Sequence, residues 1–62
     1  MNEEPNRLAY SPKSFAKAVD ISVRHLYALW ERGEGPSVTK IGGRNIITRE
    51  NGERWLRERA AA

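Results

Sequence analysis

Between two short apolar-periodic stretches the chain spends only "AVDIS", Ala18 to Ser22, and that brevity limits the fold more than any other feature. Before the break, Phe15, Ala16 and Val19 recur at helical spacing, with Lys13 and Lys17 turned away. Ser11 is a good N-cap and Pro12 suits the first helical position, so a helix of about two turns starts there. Within the break, Asp20 is a turn former and Ser22 is an N-cap for a second helix. Ile21, just before that cap, and Leu26, at the fourth helical position, make a hydrophobic staple that fixes how the chain enters the helix. The second helix runs to about Arg32, and Gly33 ends it. Its inward stripe is Leu26, Leu29 and Trp30. Helices this short need tertiary packing to survive, so the rest of the chain has to supply partners.

Those partners follow. "GEGPS", Gly33 to Ser37, is a loop in which Pro36 forces Gly35 out of helix and launches an extended segment. Ser37 to Ile41 and Arg44 to Thr48 are rich in β-formers and flank Gly42-Gly43, which predicts a hairpin. A two-residue turn would set Ile41 against Arg44, Lys40 against Asn45 and Thr39 against Ile46. A three-residue turn with a bulge would change that pairing, and neither face is cleanly apolar, so the register stays open. Thr48 can cap a last helix from Arg49 to about Ala60, anchored by Trp55 and Leu56. Glu50 with Arg54, and Glu53 with Arg57, are favourable four-residue pairs on its solvent face. Gly52 costs that helix about 1 kcal/mol relative to alanine, so either something packs closely there or the first turn is loose. Leu8 and Tyr10 alternate around Ala9 and can edge a small sheet. The expected fold is α+β and mainly helical: strand, helix, tight turn, helix, hairpin, helix. That order is the winged helix-turn-helix arrangement, over residues 7–60, behind a flexible N-terminal arm at residues 1–6.

Sixty-two residues make one small domain. A chain of this size buries only about 60% of its unfolded surface, so its stability is marginal. With no cysteine there is neither a disulfide nor a thiolate zinc site to add to it. No apolar run reaches membrane-spanning length, and the acidic, polar start is wrong for a signal peptide, which points to a soluble, cytoplasmic protein. One histidine, no nucleophile–base pair and no metal-ligand spacing argue against an enzyme and against any cofactor or metal. The net charge is +3 with a pI near 9.8, and eight of the eleven basic residues are arginine. Arginine's planar fork pairs bidentately with phosphate and with guanine edges, so the charge matters if it gathers on one surface.

Two stretches offer such a surface. In a helix-turn-helix the second helix enters the major groove and its N-terminal residues meet base edges. Here these are Ser22, Val23, Arg24, His25 and Ala28. Arg24 can read guanine or hold a phosphate, Ser22 can cap or donate to a phosphate, and the helix N-terminus favours an anion. His25 is equally readable as a plain exposed residue. Tyr27 is expected to lay its ring on the core and extend its hydroxyl to backbone or phosphate. Trp30 and Trp55 read as core anchors rather than base-stacking platforms. The second stretch is the hairpin tip, Lys40, Gly42, Gly43 and Arg44. It is either a pair of glycines flanked by solubility charges that protect an edge, or a wing whose arginine enters a minor groove. The alternating charges of the last helix are by default a solvated face.

Ser11, Ala16, Ile21-Ser22, Leu26-Tyr27, Gly33, Pro36, Lys40-Ile41-Gly42, Arg44 and Trp55-Leu56 occur in the order and spacing of a known pattern. Over residues 8 to 56 the chain resembles the excisionase and AlpA-like group of small MerR-type winged-helix DNA-binding proteins. It departs from that pattern at Ser14 and Phe15, and at Val23 and Ala28, where basic residues are common; this thins the charge on the second helix. The resemblance implies a recombination directionality factor, an excisionase. Such a factor binds repeated sites, bends double-stranded DNA and promotes integrase-mediated excision of a mobile element. An AlpA-type transcriptional regulator is the alternative. The first is preferred because the chain is little more than the DNA-binding module. The implied partners are duplex DNA, neighbouring copies bound cooperatively and an integrase, in a bacterial or phage-encoded, nucleoid-associated setting, with no membrane and no small-molecule ligand. From a different class, a protein-interaction or antitoxin-like module would turn the same basic surface to an acidic protein.

Overall fold

A computed structural model describes residues 7–61; the expected arm at residues 1–6 lies outside the described residues. Three helices and a three-stranded antiparallel sheet form a mixed α+β, mainly helical unit. In chain order these are β1 (Ala9–Tyr10), α1 (Pro12–Ala18), α2 (Val23–Glu31), β2 (Thr39–Ile41), β3 (Arg44–Thr48) and α3 (Arg49–Ala61). The extended segment is shorter than its β-former content predicts, because Ser37 and Val38 stay outside β2. β3 lies at the centre of the sheet, between β1 and β2.

Each helix begins on a side-chain cap. The Ser14 amide donates to Ser11 Oγ at 3.1 Å, the His25 amide to Ser22 Oγ at 3.0 Å, and the Asn51 amide to Thr48 Oγ1 at 3.1 Å. Each bond satisfies one of the amides that a helix start leaves without a partner. The α1–α2 turn is a Schellman closure. The Ile21 amide donates back to the Ala16 carbonyl at 2.9 Å, and the Asp20 amide to the Lys17 carbonyl at 3.2 Å. That closure needs a left-handed residue, and Asp20 occupies it at φ 65° where glycine is usual.

The core is small. Phe15, Ala16, Leu26 and Ile47 form its centre, with Tyr10, Val19, Ile21, Trp30 and Trp55 packed around it; Leu29 is buried as well. Phe15 receives Tyr10 and Trp55 edge-on, with ring centroids at 6.1 and 5.8 Å, so one ring ties together β1, α1 and α3. Gly52 is buried against it: a Cβ there would sit 2.7 Å from Phe15 Cε1. Close packing, rather than a loose first turn, is therefore the reason for a glycine inside α3. Leu56, expected as an anchor, is 44% exposed; Trp55 alone turns inward. Neither Glu50–Arg54 nor Glu53–Arg57 closes to ion-pair distance, whereas Arg32 and Glu34 do at 3.3 Å, on the surface.

Two indoles fix the loop that follows α2. Trp30 Nε1 donates to the Pro36 carbonyl at 2.8 Å, and Trp55 Nε1 donates to the Glu34 carbonyl at 2.8 Å. The loop is thus pinned from α2 on one side and from α3 on the other, and the hairpin leaves it in a defined direction relative to α2.

Candidate nucleic-acid interface

The hairpin has the two-residue register. Ile41 pairs with Arg44, Lys40 with Asn45 and Thr39 with Ile46. Gly42 and Gly43 hold φ values of 58° and 84°, as a type I′ turn requires. A Cβ at either would meet open space, so backbone conformation and not room selects glycine there. Paired residues share a face, and faces alternate along a strand. Lys40 and Asn45 therefore lie on the side of the buried Ile47, toward α2, while Arg44 lies with Ile41, Ile46 and Thr39 on the outer side. Lys40 and Arg44 are both near the tip, as the sequence predicts, but they point to opposite faces. Ile41, on the outer face, is 61% exposed.

On α2, Ser22, Val23, Arg24 and His25 are all exposed. The Ser22 oxygen accepts the capping amide, which leaves its O–H free to donate outward. No acidic residue occupies the first turn of α2, nor that of α1, whereas α3 carries Glu50 in its first turn. The positive end of the α2 dipole is thus not offset by a carboxylate from its own first turn. Two placements differ from expectation. Ala28 is half-buried. Tyr27 is 47% exposed and stands off the core, its ring edge-on to Trp30 at 5.3 Å.

Grooves flank α2 on both sides. One is lined by Lys13 and Lys17 of α1, by the cap residue Ser22 and by Val23 of α2, with Asp20 and Ile21 between them. The other, of about 490 Å³, runs between α2 and the hairpin and is lined by Tyr27, Trp30, Glu31, Val38, Lys40 and Asn45. Arg24, Lys13, Lys17, Lys40 and Arg44 make no ion pair or side-chain hydrogen bond among the described residues. In the sequence pattern Lys13 and Lys17 are merely outward-facing. The Schellman turn brings these two side chains of α1 alongside the start of α2, a long-range placement that helical spacing alone does not reveal.

Such an arrangement can hold an extended polyanion: an open helix N-terminus with an arginine on it, and lysines along both margins. Among the described residues no group of three or more His, Asp or Glu side chains comes together to hold a metal, and no helix is long and apolar enough to cross a membrane. No family model, no curated protein and no solved structure matches the chain.

Proposed function

We propose that this chain is a winged helix-turn-helix that binds double-stranded DNA, with α2 as the recognition helix and the β2–β3 hairpin as the wing. The observation that carries the reading is the placing of cations around α2 that have no ion pair among the described residues: Arg24 on its exposed first turn, Lys13 and Lys17 along one margin, Lys40 along the other. Helix α2 enters the major groove and offers Arg24 and His25 to base edges. The lysines and the Ser22 hydroxyl position it on phosphates. Arg44, at the tip and on the outer face, reaches the adjacent minor groove.

Within that reading, the resemblance to excisionases favours a recombination directionality factor: several copies on repeated sites, bending the DNA for an integrase. Few direct base contacts are available from one α2, which fits a protein that relies on repeated sites and DNA deformability more than on one tight contact. Footprinting on the DNA flanking its gene is the test. Protection of spaced repeats beside an integrase attachment site is the expected result. Protection confined to a promoter replaces the excisionase role with that of an AlpA-type regulator. Absence of protection together with capture of an acidic protein overturns DNA binding in favour of an interaction module.

A further inference from the structure

We infer that the groove between α2 and the hairpin is a clamp for one phosphodiester, formed by the Tyr27 hydroxyl, the Lys40 ammonium and the Asn45 amide, with Glu31 limiting it at one end. The inference rests on the DNA-binding reading and adds Asn45, Glu31 and a defined role for Tyr27.

The hairpin register brings Lys40 and Asn45 side by side on the face turned to α2. Tyr27 of α2, its ring edge-on to Trp30, lines the same groove as both of them. Together they present an ammonium, an amide NH₂ and a phenolic O–H, none of them hydrogen-bonded among the described residues. A donor-rich set with one positive charge matches a phosphate, whose oxygens only accept. Asn45 is half-buried, in the strand at the centre of the sheet. Trp30 already spends its indole N–H on the Pro36 carbonyl and supplies only a wall. Glu31 lies one helical turn beyond Tyr27, and its carboxylate repels an anion that slides toward the C-terminal end of α2. The phosphate is therefore held at the Tyr27 end of the groove, on the strand that passes between helix and hairpin.

The proposal makes predictions of opposite sign, which a loss of folding cannot imitate. The probe is a labelled random-sequence 20-base-pair duplex at low salt, since a phosphate contact is independent of sequence. Tyr27→Phe keeps the ring against Trp30 and removes only the hydroxyl; it and Asn45→Ala should each weaken binding about 3- to 10-fold. Glu31→Gln should strengthen binding about 2- to 5-fold. Salt slopes of these Tyr27 and Asn45 variants should match wild type, while Lys40→Gln should lower the slope by about 0.9. Circular dichroism checks that each variant stays folded. If wild type binds and Arg24→Ala weakens it, but Tyr27→Phe and Asn45→Ala stay within twofold and Glu31→Gln gains nothing, the clamp alone is wrong. If wild type shows no salt-dependent duplex binding, the DNA reading and the clamp fall together.

Discussion

Gly52 and Arg24 show what a single side chain decides here, one by its absence and one by its reach. In an exposed helix, Gly→Ala stabilises by about 1 kcal/mol. At Gly52 the added methyl would lie 2.7 Å from Phe15 Cε1, and that ring is held between Tyr10 and Trp55. Overpacking costs about 1–3 kcal/mol, so the clash outweighs the propensity gain. Gly52→Ala is expected to lower stability by about 1 kcal/mol, read as a drop in the urea midpoint; a rise would mean that Phe15 can move aside freely. Arg24 sits on the exposed first turn of α2. If it reads a guanine, Arg24→Ala should cost about 1–3 kcal/mol on the protected site and less on random duplex. Equal losses on both would assign it to a phosphate.

Among the elements, the hairpin depends most on distant residues. Its direction is set by the loop at residues 33–37, which is held by Trp55 from 21 positions away as well as by Trp30. Trp55→Phe keeps most of the ring contact with Phe15 and loses the bond to the Glu34 carbonyl. It should cost about 1 kcal/mol and speed amide exchange in that loop before it does so in α1 or α2. Uniform acceleration across the chain would mean the bond holds the whole fold rather than the loop. Arg44→Ala should weaken duplex binding and lower the salt slope by about 0.9 while leaving the fold intact; an unchanged affinity would make the outer face of the hairpin a bystander. These elements also divide cleanly by how far the sequence reveals them. Caps at Ser11, Ser22 and Thr48, the Asp20 turn and the I′ hairpin at Gly42-Gly43 rest on local chemistry, and each is visible in a few adjacent residues. Which hairpin face meets α2 is not local: both faces carry isoleucine, and only the long-range burial of Ile47 chooses between them. The same holds for the packing behind Gly52, decided by Phe15 from another helix, which pattern alone does not name. The place of Asn45 beside α2 is hidden for the same reason, although a two-residue turn already pairs it with Lys40.

For the molecule as a whole, a Cα radius of gyration of 11.2 Å is close to the roughly 10.6 Å of a compact chain this long. Yet among the described residues the buried core is small, Phe15, Ala16, Leu26, Leu29 and Ile47 with Pro36 buried in the loop, so the folded state has little stability in reserve. Any partner that binds the folded form alone should raise its melting temperature by linkage. DNA binding by a surface of this kind is chiefly counterion release, and its size can be anticipated. Lys13, Lys17, Arg24, Lys40 and Arg44 are the cations around α2 and the hairpin tip. If three to five of them neutralise a phosphate, log Kobs against log salt should fall with a slope of about −2.7 to −4.5. The decisive measurement is therefore the duplex-DNA binding constant across a range of salt concentrations. The account predicts a straight line in that range of slopes; negligible binding at low salt, or a slope near zero, would contradict it.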